Sequence, residues 1–146
     1  MAVTNHKNEP LYLIKGNLAG PKQTIFIQDL SHNELGRLFK SNSRLQKSYG
    51  IDVEGYPVCY LKHFPNAFYL QKRHLLITRN KDSFTFRRFA KVVASMKIII
   101  DDPITLDCEI DDFEDAFFIL LICVLLNKWK MTPLRLPDFP LKVIRA

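Results

Sequence analysis

Two short basic stretches hold the side chains best able to do recognisable chemistry: Lys72-Arg73-His74 and Arg87-Arg88-Phe89-Ala90-Lys91. Guanidinium and ammonium groups clustered in this way hold phosphate oxygens by charge-assisted hydrogen bonds, and each cation near an anionic leaflet adds about 1 kcal/mol. Tyr69 and Phe89 stand nearby in the chain and are aromatics of the kind that sit at a membrane–water interface. The expected anionic-lipid or phosphate site is Lys72, Arg73, Arg87, Arg88 and Lys91; the alternative reading of the same residues is a solvated basic face that confers solubility.

No other chemistry has a comparable signature. The sequence contains no Walker loop, dinucleotide fingerprint, Gly-x-Ser-x-Gly elbow or His-Glu-x-x-His pair. His6, His32, His63 and His74 are scattered without metal-ligand spacing. Eight acids and no base lie between Asp101 and Asp115. They could gather calcium, but the spacing and central glycine of an EF-hand loop are missing, so a solvated strand face plus helix capping is the favoured reading. Cys59, Cys108 and Cys123 are too few and too far apart for a disulfide framework or a zinc site, and are expected to be buried, reduced thiols in a cytoplasmic chain. The stripe Phe113, Phe117, Phe118, Leu121 and Leu125 could line a ligand cavity but is assigned to the core. The expectation is a protein that is not an enzyme, with no metal and no cofactor.

The elements that must position the basic residues follow from composition and pattern. With 146 residues, 47% hydrophobic and 25% charged, the chain suits one globular domain, residues 1–146, with enough apolar surface for a single core. The opening MAVTNHKNEP has neither an apolar stretch nor a cleavage site, so no secretory signal is read. Residues 1–100 carry 16 Lys and Arg against 6 acids, whereas residues 101–146 carry 5 against 9. The basic half attracts polyanions in a salt-dependent way without choosing among them.

From Leu11 to Ile110, β-branched and aromatic runs alternate with turn residues and predict ten strands: Leu11–Lys15, Thr24–Gln28, Leu35–Phe39, Ser48–Val53, Val58–Phe64, Phe68–Gln71, Leu75–Arg79, Phe84–Phe89, Val92–Ile100 and Ile104–Ile110. The Asp29–Glu34 turn joins the second and third strands as a hairpin, and its Asn33 is a residue that tolerates positive φ. The change of aromatic parity at Phe89 predicts a bulge or a strand end. The next segment predicts a helix over 112–130, with Asp111 as N-cap and Glu114 in a capping-box position. Eleven apolar residues, Ala116–Leu126, follow without interruption, about 16 Å of helix where a bilayer asks for about 30 Å. Such a helix does not span a membrane, and being apolar all round it must be enclosed by the strands before it. The predicted architecture is mainly β, a closed antiparallel barrel of about ten to twelve strands around this helix, occupying residues 10–131. The tail 132–146, with Pro133, Pro137 and Pro140, should be extended.

This order of elements resembles the tubby C-terminal-like superfamily, which includes tubby proteins, phospholipid scramblases and LURP-one-related proteins. The likeness is carried by Thr24-Ile-Phe-Ile-Gln-Asp-Leu-Ser-His-Asn-Glu-Leu-Gly36, similar to the family's hairpin pattern, and by the acid-capped apolar helix from Asp111 to Trp129. The resemblance implies a barrel of about twelve strands around a hydrophobic C-terminal helix, and an anion site among basic residues on the barrel exterior. The chain departs from animal scramblases in lacking cysteine-rich and proline-rich extensions, so scrambling activity is not carried over. The expected function is binding of anionic phospholipid headgroups by a cytoplasmic, peripheral-membrane module. The alternative is a protein-interaction or self-association module using the apolar tail. Nucleic acid is not the expected partner; that reading needs aromatics exposed on the basic face for base stacking, and the sequence does not show which Phe are exposed.

Overall fold

The computed structural model describes residues 2–5, 7, 9–17, 24–41, 48–64, 67–80, 83–99, 105–128 and 141–143. Among them the chain is mainly β. The strands are β1 (Ala2–Thr4), β2 (Pro10–Asn17), β3 (Thr24–Gln28), β4 (Glu34–Ser41), β5 (Ser48–Val53), β6 (Cys59–Phe64), β7 (Ala67–Leu70), β8 (Leu75–Asn80), β9 (Ser83–Arg88), β10 (Lys91–Ile99) and β11 (Thr105–Ile110). Each pairs antiparallel with the next in chain order. A three-residue strand, β12 (Leu141–Val143), runs parallel to both β11 and β1, with Leu141 opposite Leu106 and Val3. All ten strands expected from the sequence are present; β1 and β12 were not anticipated as strands. Ile100, Ile104, the Lys81–Asp82 end of the β8–β9 turn, and tail residues 132–140 and 144–146 lie outside the described residues.

Alternation decides what each strand buries, because successive side chains face opposite sides of a sheet. Ile25 and Ile27, Leu38, Ile51 and Val53, Phe68 and Leu70, Leu75 and Ile77, Phe84 and Phe86, and Cys108 and Ile110 all point into one core. Gly16, at φ +101°, pairs with Ile25 where any Cβ would collide with the Thr24 carbonyl oxygen; only glycine fits there.

The core is completed by α1 (Ala116–Lys128), preceded by a single 3₁₀ turn, Phe113–Asp115. Ten of its eleven residues from Ala116 to Leu126 are buried. Its partners come from several strands. It packs on β3, β4 and β5, Phe117 meets the Tyr12 ring of β2 edge-on at 5.2 Å, and Cys123 Sγ lies 3.7 Å from Cys108 Sγ of β11. The helix is thus buried against the sheet, as its unbroken apolar run requires, and each fully buried Leu, Ile or Phe contributes about 1.5–3 kcal/mol. The stripe assigned to the core behaves so at Phe118, Leu121 and Leu125, whereas Phe113 is exposed.

One local expectation needs correction, and one turn is settled in detail. The cap is Asp112 rather than Asp111: its carboxylate accepts from Glu114 N at 3.0 Å, while Asp111 N donates to Val93 O and belongs to the end of the sheet. In the β3–β4 turn the positive φ falls on His32, at 67°, not on Asn33. The cause is Asp29, whose Oδ1 accepts from both Ser31 N and Asn33 N at 2.9 Å and winds the turn tightly. These bonds, first that from Asn33 N, hold the Asp29 carboxyl below its ordinary pKa. Trp129 and Lys130, expected to end the helix, lie outside the described residues.

Candidate functional site

The meander sends the turns after β1, β3, β5, β7 and β9 to the end of the sheet where the helix enters. Both basic stretches lie there. Lys72, Arg73 and His74 occupy the β7–β8 turn, and Arg87 to Lys91 span the end of β9, its turn and the start of β10. The β8–β9 register sets Leu75 opposite Arg88 and Leu76 opposite Arg87, so the two stretches adjoin.

Strand parity then divides the cations into two groups. Arg88 follows Phe84 and Phe86 on the inward face and reaches the helix start: its Nη2 donates to Asp115 Oδ1 at 2.8 Å, and its Nε donates to Arg73 O at 3.1 Å. Arg73 Nη2 reaches the same Asp115 oxygen at 2.5 Å, and its guanidinium lies 5.0 Å from the ring centroids of both Tyr56 and Phe118. Asp115 is fully buried. Burial pushes its carboxyl pKa up, but the hydrogen bonds and charges of Arg88 and Arg73 outweigh that, and the net shift is downward. Arg88 is raised in turn, chiefly by its bond to Asp115. Arg73 and Arg88, expected among the lipid-facing cations, are instead occupied within the protein, tying two turns to the base of the helix.

The second group faces outward. Arg87, on the opposite face of β9, donates from Nη1 to Thr78 Oγ1 at 3.0 Å, and Lys72 and Lys91 are exposed. Beside them Tyr69 Oη and His74 Nδ1 are 2.9 Å apart, and the His74 ring stacks on Phe89 at 5.7 Å with a 24° interplanar angle. Phe89, at the tip of the β9–β10 turn, is 80% exposed. The outer row Tyr69, Leu76, Arg87 and Val92 crosses four strands in register, and Leu76 and Val92 are exposed. The parity change noted in the sequence at Phe89 has two sources: β9 ends at Arg88, and the register shifts between Val92 and Ala94.

Backbone conformation marks the same corner. Among the described residues four non-glycine positions have positive φ, and three of them are Lys72 at 67°, His74 at 55° and Phe89 at 56°. A side chain in that region costs about 1–3 kcal/mol, and such positions gather at sites where geometry matters more than stability.

Leu76 and Val92 were missed from the sequence, though a signal existed. Each is one half of an apolar doublet, Leu75-Leu76 and Val92-Val93. On a strand with one buried face one member of such a pair tends to look outward.

The remaining candidates offer less. Among the described residues no group of His, Cys, Asp and Glu is arranged to hold a metal ion. Cys59, Cys108 and Cys123 are buried free thiols; burial raises Cys59, and burial followed by the contact with Cys108 raises Cys123 well above an ordinary thiol, leaving little thiolate to react. An open groove of about 590 Å³ lies between Phe89–Lys91 and Asp111–Asp112, with Arg88 and Val93 in its walls. Its two aspartates oppose an anionic occupant. No helix among the described residues is long and apolar enough to cross a membrane. No protein-family model, curated protein or solved structure matches this chain.

Proposed function

We propose that the protein is a non-enzymatic module that docks on anionic phospholipid surfaces through the outer corner formed by the β7–β8 and β9–β10 turns. The observation that carries this reading is the company kept by Phe89: an aromatic ring 80% exposed, flanked by the outward cations Lys72, Arg87 and Lys91. Cations supply long-range attraction to headgroup phosphates, and the apolar groups Phe89, Leu76 and Val92 supply contact once the surfaces meet. Elsewhere on the sheet Glu34, Asp52 and Glu54 surround a surface depression together with Arg37, which pairs with Glu34, so the cations are not spread evenly, and an anionic plane would favour the corner that carries Lys72, Arg87 and Lys91. Arg73 and Arg88 have a supporting role in this reading, since the turns they anchor carry the exposed side chains.

The proposal extends to the fold and the family. A meander of eleven antiparallel strands followed by one enclosed apolar helix supports the likeness to the tubby C-terminal-like superfamily. The pairing of β12 with both β11 and β1 supports closure of the sheet into a barrel, with part of the apolar tail used as an internal staple. The same pairing argues against that part of the tail serving as a free docking segment for a protein partner.

Co-sedimentation with neutral and with phosphatidylserine-containing vesicles tests the reading. Binding to the anionic vesicles alone, weaker at near-physiological than at low salt, is expected. Equal binding to both kinds, or to neither, would overturn it.

A further inference from the structure

The three left-handed residues of this corner differ in what they expose but share one result. Lys72 turns a cation outward, His74 lays its ring under Phe89, and Phe89 projects its own ring from the turn. Glycine or asparagine would occupy such positions at lower cost. The chain accepts that cost at a tip, where the stack of His74 on Phe89 is the packing it obtains. Tyr69 fixes His74 from below through the 2.9 Å contact, so the Phe89 ring stands on a braced column rather than swinging on a loose loop. Leu76 and Val92 are exposed on the same outer face, one on each side of Arg87, and Asp111 and Asp112 line the groove beside the turn together with Arg88 and Lys91. An exposed ring held by a stack, with Lys72, Arg87 and Lys91 around its turn, fits the boundary between headgroups and acyl chains. It fits a nucleobase less well, because Leu76 and Val92 offer no stacking face.

We infer that Phe89 inserts into the interfacial layer of the bilayer and makes the protein selective for loosely packed anionic membranes. This rests on the docking reading above and adds to it a second determinant, independent of charge. A single ring enters only where gaps between headgroups admit it, so at equal surface charge affinity should follow acyl-chain packing and curvature. The cations, which read charge alone, cannot supply that preference.

The test compares vesicles with the same phosphatidylserine fraction but either unsaturated chains or saturated chains with cholesterol, using the intact protein, Phe89→Ala, Phe89→Trp and Phe89→Gly. The intact protein should favour the unsaturated vesicles. Phe89→Ala should lose the preference and bind them about tenfold more weakly, the scale set by withdrawing one apolar side chain. Phe89→Trp should keep both properties. Phe89→Gly removes the backbone strain, so a weak result with that variant cannot be blamed on misfolding. If the intact protein and Phe89→Ala bind both vesicle types alike, insertion is wrong and electrostatic docking stands. If no anionic vesicle is bound, the docking reading falls and this inference with it. Loss of single-stranded oligonucleotide binding on Phe89→Ala, without vesicle binding by the intact protein, would instead assign the ring to base stacking.

Discussion

Leu121→Asp is expected to unfold the protein outright. Leu121 is fully buried in the middle of α1, a helix with partners from β2, β3, β4, β5 and β11 around it. An aspartate there must either carry a charge where the described residues around it are apolar or take up a proton to avoid doing so, while the leucine's packing is lost in both cases. The combined cost exceeds about 5 kcal/mol, against a typical domain stability of about 5–15 kcal/mol. Arg87→Ala removes an outward side chain whose Nη1 bonds Thr78 and should shift stability by less than about 1 kcal/mol. Chemical denaturation followed by circular dichroism separates the two. Similar losses for both variants would contradict an enclosed helix.

Asp115→Ala is the second large effect, expected at about 3–5 kcal/mol. The loss comes less from the pair itself than from what remains: two guanidinium groups, largely shielded at 17% and 29% side-chain exposure, with their common carboxylate gone. The wild-type ion pairs also set an acid response. Asp115 is held below its ordinary pKa, so its contribution is fully present above the unfolded carboxyl's pKa of about 3.9. It is lost as pH falls through the lower folded value. Thermal unfolding of the wild type between neutral pH and pH values below that range should show this loss. Asp115→Asn, less stable at neutral pH, should lose less on acidification. A steeper acid loss in the variant would contradict the assignment.

The regular parts of the fold were legible because each strand reports itself locally. Ile104–Ile110 alternates, Thr24–Gln28 is β-branched and aromatic, and the run from Ala116 to Leu126 is too apolar for anything but an enclosed helix. Short or unusual elements were not. Ala2–Thr4 is three residues long, and Leu141–Val143 follows three prolines, so neither shows a period. The shift of the N-cap by one residue arose from consecutive aspartates, Asp111 and Asp112, which look alike until the backbone decides which one turns.

The site divides along the same line. Clustering of the two basic stretches follows from adjacent turns of a meander. The separation of Arg88 from Arg87 depends on strand parity together with a carboxylate 27 residues away in sequence. Arg73 meets the same carboxylate across 42 residues. Nothing local to either arginine distinguishes a cation tied to the core from one facing out.

One comparison bears most directly on that division. Arg73→Ala/Arg88→Ala and Arg87→Ala/Lys91→Ala remove the same formal charge from the same corner, and each can be measured for thermal stability and for sedimentation with phosphatidylserine vesicles. The first pair is expected to lower the melting temperature sharply. The second should leave it nearly unchanged while vesicle binding falls about thirtyfold, as the loss of two cations at about 1 kcal/mol each requires. If instead the second pair destabilised the protein as much as the first, or left vesicle binding intact, the outer corner would not be the docking face.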